Sequence, residues 1–379
     1  MPFVIRYACP ACGARPPIAL DRFRCDCGAP LGLDFESRPL DSDALAHRPH
    51  TLWRYREAIP LADRISPVTL GEGAAPVVED DLGGTTVRLA LECVSPTGSF
   101  KDRGASLLVS VAASLGASLL VDDTSGNAGI ALAAYGARAG LPVRIVVPDD
   151  APEAKPRIAA RLGARVVAVA GGRRAAAEAV LGEIHGGAFY ASHAWNPFFL
   201  HGTKTFAYSL AEALRFRAPG AVLLPVGNGG LLLGAALGFG ELLRHGRIDR
   251  MPALVAVQAE RCAPIARAFS SGLAAPEPRE EGPTAADGVR VPAPPRGAEV
   301  LDAVRRSGGS AASVGEDEIA KAQDLLWRRG YAVEPTGAVA AALVLREGAA
   351  LRSRFGDLVV VLSGSGLKGR QPAAGERAA

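Results

Sequence analysis

Short apolar runs alternate with amphipathic, alanine-rich stretches along most of this chain. Residues 87–91, 118–121, 144–147, 166–169, 221–225, 254–257 and 357–362 are four to six residues long and largely apolar. Continuous short runs of this kind predict strands buried on both faces of a parallel sheet. Between them, helical spacing predicts helices at 99–115, 128–139, 153–162, 173–184, 203–214, 231–244, 317–329 and 336–346. Alternation of this sort predicts an α/β architecture with helices on both sheet faces. Residues 1–35 are turn-rich, and Trp53 and Tyr55 fall in an expected docking helix within 36–65. Residues 191–200 and the Pro/Gly-rich stretch 270–298 are expected loops, and the tail after Gly369 an expected disordered end.

At 379 residues the chain exceeds one ordinary core and predicts two domains with an appendage. Its net charge of +3 carries no basic run, so nothing favours a nucleic-acid or anionic-membrane partner. No apolar stretch reaches the ~18 residues of a membrane span, and the N-terminus lacks a signal-peptide core, so a cytoplasmic protein is expected. Lysine usage is more informative. Five lysines, Lys101, Lys155, Lys204, Lys321 and Lys368, stand against 37 arginines. A chain that uses Arg wherever a charge suffices keeps Lys for chemistry that needs an amine. Lys155 and Lys321 are expected to be bystanders. Lys101, in SPTGSFKDRG at the opening of a helix, is the candidate nucleophile, because the positive helix end helps an amine shed its proton.

Three glycine-rich loops follow expected strands: TSGNAG at 124–129, GNGG at 227–230 and SGSG at 363–366. Backbone N–H groups at a helix start make the first two candidate anion sites. A dinucleotide fingerprint fails at Gly227 because position 232 is Leu, and its match at Gly364, Gly366 and Gly369 has too little chain after it. Neither a P-loop nor a G-x-S-x-G elbow is present. Cys9-x-x-Cys12 and Cys25-x-Cys27 pair four thiols at zinc-knuckle spacing, each pair followed by Gly (Gly13, Gly28), which predicts structural zinc. Cys93 and Cys262 are expected core residues.

In SPTGSFKDRG, TSGNAG, PVGNGGLLLG at 225–234, SGSGLK at 363–368 and TLGEGAAP at 69–76, the chain resembles the threonine-synthase-like group of fold-type II pyridoxal-phosphate (PLP) enzymes. Weaker matches lie at His201-Gly202-Thr203-Lys204, Ala286-Asp287-Gly288 and Glu334-Pro335-Thr336-Gly337. The resemblance implies a tryptophan-synthase-β-like α/β fold. Its parts would be a zinc-ribbon-like extension at 1–35, a large PLP domain at 36–95 and 203–370, a small domain at 96–202, and a disordered tail at 371–379. It further implies that Lys101 carries PLP as a Schiff base and then moves protons. Gly227, Asn228, Gly229 and Gly230 would cradle the cofactor phosphate, Asn127 would donate to its phenolate oxygen, and Ser363 would face its pyridine nitrogen. Thr97, Ser125, Gly126 and Arg157 would bind substrate.

The implied reaction is O-phosphohomoserine plus water to threonine plus phosphate, on a small phosphorylated amino acid, in a possible homodimer. Ser95, Ser365 and Ala75 depart from the family pattern, and residues 153–160 lack its Lys-x-x-Gln form. These departures leave open an ammonia-lyase acting on threonine, serine or a diamino acid, or a catalytically silent PLP-binding protein.

Overall fold

The computed structural model describes residues 5–278 and 282–369, so the expected tail at 371–379 lies outside the described residues. Its strands are β1 Arg6–Ala8, β2 Gly32–Asp34, β3 Val77–Leu82, β4 Thr85–Ala90, β5 Leu119–Asp122, β6 Val143–Pro148, β7 Arg165–Val169, β8 Ala188–Tyr190, β9 Ala221–Pro225, β10 Ala253–Ala259, β11 Ser310–Val314 and β12 Leu358–Val361. They form three sheets. β1 and β2 pair antiparallel. β7-β6-β5-β8 is wholly parallel. β11-β10-β9-β12-β4-β3 is parallel except for β3, which pairs antiparallel with β4 at its edge.

Both faces of the large sheet are buried, which explains its near-continuous apolar strands. Val222, Leu224, Leu254, Ala256, Val359 and Val361 pack with the helices Thr205–Ala213, Gly230–Arg244 and Gly297–Arg306. The alternate residues Leu223, Val255, Val257, Leu358 and Val360 pack with Glu316–Arg328 and Pro335–Phe355. In the small sheet, Leu120, Ile145 and Phe189 share a core with the helices Lys101–Ser114 and Asn127–Ala139. Tyr7, Cys9, Cys25 and Leu31 of the N-terminal ribbon belong to that same core. Among the described residues no helix is long and apolar enough to cross a membrane.

Several expectations are corrected. The loop at 191–200 contains a helix from Pro197 to Thr203. Asn196 caps it by accepting from the Phe198 N–H at 3.0 Å, and Pro197 stands at the first helical position, where its missing N–H costs nothing. The helix expected at 336–346 continues to Phe355. Gly348 inside it lets the helix lie against β4, for a Cβ there would sit 2.3 Å from Thr85 Oγ1. The docking helix of Trp53 and Tyr55 is the 3-10 segment Leu52–Ala58. The long loop 270–298 gives way at Gly297 to the helix Gly297–Arg306. The strands β3, β8 and β11 were not expected.

Candidate active site

A cavity of about 550 Å³ lies at the carboxyl ends of both parallel sheets, where open α/β sheets bind ligands. The loop after β5 brings Ser125, Gly126 and Asn127 to it. The turn after β9 brings Gly227 to Gly230, the chain after β12 brings Ser363, and the start of helix Lys101–Ser114 brings Phe100 and Lys101.

Lys101 keeps some exposed surface, toward the cavity it lines, and its Nζ lies 3.6 Å from the centre of the Phe100 ring. Burial pushes the amine down to about 7. Lys368 and Lys155 act in the same direction, while Glu334 and Asp122 oppose them. At pH 7 about half of such an amine is neutral, against roughly one part in 3,000 for an ordinary lysine. Competitive acetylation of the apoprotein should therefore label Lys101 with a midpoint near pH 7. Labelling at pH 5 should fall to about one hundredth of the plateau. Lys155→Met removes a neighbouring cation and should move the midpoint upward; an ordinary lysine titration in the native chain would refute this electrostatic reading.

Lys155 is the main correction to the expected site. It is no bystander: its ammonium is mostly buried in the cavity, donates to both Asp287 oxygens at 3.1 and 3.2 Å, and lies 3.0 Å from Glu334 Oε2. Burial works against its charge, but Glu334 and Asp287 overcome that and hold its pKa above the ordinary value. Arg157, two residues further on the same short helix, projects into solvent with its side chain 81% exposed, 4.0 Å from Glu153. Residues two apart do not share a helix face. Arg157 is not among the residues lining the cavity, nor is Thr97, whose backbone N–H and hydroxyl both donate to Asp102 at 2.7 and 2.5 Å.

Sequence reasoning also missed Asp123, His193, Glu334, Arg173 and Arg290 on the cavity wall. Tyr190 donates to Asp123 at 2.5 Å. The His193 ring spans Asp122 at 3.3 Å and Asn228 at 3.2 Å. Arg173 and Arg290 are exposed, come from separate elements, and have no side-chain partner among the described residues.

The profile of the family described as "Pyridoxal-phosphate dependent enzyme" matches residues 68–364. The chain belongs to that family. It is 34% identical to a threonine synthase of Methanosarcina acetivorans over 345 residues, 88% of this chain and 84% of that protein. It is 32% identical to a threonine synthase of Methanocaldococcus jannaschii, over 95% of this chain and 92% of the relative. Among solved structures, a threonine deaminase of T.th. superposes with a TM-score of 0.65 at 31% identity, covering 77% of this chain and 92% of the other. Maize serine racemase gives 0.67 at 23% identity over 77% and 88%, a likeness of fold.

The cavity fits the family's cofactor. Gly229 has φ +81°, and a Cβ there would lie 2.2 Å from Val300 Cγ2. A Cβ on Gly227 would lie 2.6 Å from the Gly288 carbonyl. Only glycine keeps this turn, with its amides at the N-terminus of helix Gly230–Arg244, in shape to hold a phosphate. Asn127 donates to Glu334 Oε1 at 2.6 Å, yet its own Oδ1 is buried with no partner among the described residues. The amide nitrogen has a second hydrogen, with no partner among the described residues, that can serve an acceptor on a ligand, whereas the bare Oδ1 calls for a donor.

Away from the cavity, the sulfurs of Cys9, Cys12, Cys25 and Cys27 all lie within 4.8 Å of one another. Cys9 to Cys27 is 3.6 Å and Cys12 to Cys25 is 3.5 Å. Four thiolates around tetrahedral zinc stand ~3.8 Å apart, from a Zn–S bond of ~2.3 Å, so the cluster fits a closed structural site.

Proposed function

We propose that this chain converts O-phosphohomoserine and water into threonine and phosphate. The observation that carries this is the pair of guanidinium groups, Arg173 and Arg290, that line the same cavity as Lys101 and have no side-chain partner among the described residues. They suit a doubly charged substrate phosphate. Relatives named threonine synthase, matched over most of their length, support the same reading. On this reading the protein works in the cytoplasm as a homodimer on a small amino-acid phosphate, with no nucleic acid or membrane partner.

When bound, pyridoxal phosphate supplies an electron sink for charge developing beside the substrate's amine. Gly227, Asn228, Gly229 and Gly230 hold its phosphate. Asn127 would donate to the phenolate oxygen, and the neutral Ser363 hydroxyl would serve the pyridine nitrogen. Ser125 and the amide of Gly126 take the substrate carboxylate. Lys101, nearly half neutral at pH 7, removes protons from Cα and Cβ and delivers one to Cγ as phosphate departs. Water then adds its oxygen at Cβ, the proton it sheds completes the released hydrogen phosphate, and Lys101 returns the proton to Cα. The net change is phosphate released from Cγ, now a methyl group, and a hydroxyl gained at Cβ.

The double variant Arg173→Ala/Arg290→Ala should raise KM for O-phosphohomoserine by about ten- to 100-fold, since each charge-assisted hydrogen bond contributes about 1.5–3 kcal/mol and exposure discounts it. Its kcat should hardly change, because this binding is lost equally from ground and transition states. An unchanged KM would remove the two arginines from the phosphate site, whereas a native enzyme that leaves O-phosphohomoserine untouched would favour a second reading, an ammonia-lyase on an unphosphorylated amino acid. That reading draws support from the 31% identity to the solved threonine deaminase.

A further inference from the structure

The four-cysteine knuckle does not hang free of the chemistry. Phe23, in the loop between its two cysteine pairs, meets Tyr190 edge-on, with ring centres 5.0 Å apart. It meets Trp195 in the same way at 6.0 Å. Both belong to the stretch 190–196, whose Ser192, His193, Ala194 and Trp195 line the cavity. The inner side of that stretch is bonded to the loops of the cavity: Tyr190 donates to Asp123, and His193 bridges Asp122 to Asn228 of the phosphate loop.

Arg296 closes the arrangement from another direction. It is 3% exposed. Its Nη2 donates to the Leu31 carbonyl of the ribbon at 2.6 Å and to the Trp195 carbonyl at 2.8 Å, while its Nε donates to the Ala194 carbonyl at 3.3 Å. Glu299 balances the charge, accepting from Nη1 at 2.9 and 3.1 Å. The residues just before Arg296, from Asp287 to Pro295, supply another part of the cavity wall. One buried guanidinium therefore ties together the ribbon, the stretch 190–196 and the 287–295 wall. A planar fork with five donors suits three carbonyls on two segments, with Glu299 on its remaining side, better than the compact point charge of an ammonium.

We propose that Phe23 and Arg296 are positioning residues that make the zinc knuckle part of the substrate cavity, so that loading the knuckle with Zn²⁺ fixes the stretch 190–196 and sets the affinity for substrate. The proposal rests on the threonine-forming reading for its substrate and on the four thiols for its metal. Zinc closes the loop that carries Phe23; without it, Tyr190 and Trp195 lose their outer support, while the phosphate loop, which His193 touches at Asn228, stays packed against Val300 and Gly288. The effect therefore falls on substrate binding rather than on cofactor retention.

The test uses the PLP- and zinc-loaded full chain, with Phe23→Ala and Phe23→Tyr. Phe23→Ala leaves all four thiols in place and should still bind one zinc per chain. Its KM for O-phosphohomoserine should rise about tenfold with kcat and the visible absorbance of bound cofactor little changed, the size expected of two lost edge-on aromatic contacts. Phe23→Tyr should restore the KM, because the ring contacts return. Wild-type enzyme stripped of zinc by a chelator should match Phe23→Ala. Amide hydrogen exchange over 190–196 should quicken in both, a readout that needs no substrate. A native KM and native exchange in Phe23→Ala, a loss confined to kcat, or wild-type protein that binds no zinc would each overturn the proposal. If the wild type does not turn over O-phosphohomoserine, the substrate reading fails alone, and exchange at 190–196 still decides the coupling.

Discussion

Lys101→Ala lowers turnover by at least about 10³-fold, within the range general acid–base catalysis supplies, and removes the visible absorbance of lysine-attached cofactor. No neighbouring amine can stand in. Lys155 is held by Asp287 and Glu334, and Lys368 donates to the Gly98 carbonyl at 2.7 Å. Lys101→Arg should fail as fully as alanine, because a guanidinium neither deprotonates usefully nor forms the linkage. Steady-state assays on PLP-saturated variants, with absorbance spectra and far-UV circular dichroism to show the fold intact, check the prediction. Activity within tenfold of the native enzyme would remove Lys101 from the chemistry.

Arg103→Met should lower the unfolding free energy by about 3–5 kcal/mol, the cost of breaking a buried ion pair. Arg103 stands two residues after Lys101 and is fully buried. Its Nε and Nη2 donate to the two oxygens of Glu92 at 2.9 and 2.7 Å, and the Glu92 side chain is 1% exposed. The guanidinium also reaches the Gly73 carbonyl at 3.2 Å, Ser209 Oγ at 2.9 Å and Thr205 Oγ1 at 3.3 Å. It thus pins the start of the lysine-bearing helix to segments on either side of it. Methionine fills the volume but leaves a bare carboxylate in the core. Arg103→Met/Glu92→Gln should recover part of the loss, since the amide no longer carries an uncompensated charge. Urea unfolding of the apoproteins measures both, and an unchanged midpoint in Arg103→Met would contradict the assignment.

The SFKDRG segment shows why one stretch of sequence supports two different conclusions. The scarcity of lysine singled out Lys101 because amine chemistry cannot be done by arginine. Nothing comparable singled out Arg103, one of 37 arginines, whose value comes from a carboxylate eleven residues back and hydroxyls about 100 residues ahead. The glycine loops were legible for a related reason: close backbone approach leaves its mark in composition, as at Gly227 and Gly229. Lys155 was illegible because its partner Asp287 lies 132 residues away, in a long loop where the weak match at Ala286-Asp287-Gly288 does not say which side chain Asp287 meets. Arg157 was misplaced because the spacing of apolar residues in the short helix Ala154–Arg161 does not say which face the sheet covers. Lys204 illustrates the opposite outcome. It is fully buried, donates to Glu241 at 2.7 Å beside the Tyr208 hydroxyl, and serves the core.

Edge strands were lost for physical reasons too. β11, Ser-Ala-Ala-Ser-Val, has no apolar run because it closes the end of the large sheet, and β8 spans three residues after a Gly-Gly turn. Both are stabilised by parallel pairing to a neighbour, β11 to β10 and β8 to β5. Local sequence does not record such pairing.

The central claim is most directly tested by incubating PLP-saturated protein with O-phosphohomoserine and following phosphate and threonine in the same sample. The account predicts the two products in a one-to-one ratio, abolished in Lys101→Ala. No phosphate release from protein with its bound-cofactor absorbance intact would contradict it and turn attention to unphosphorylated threonine and serine.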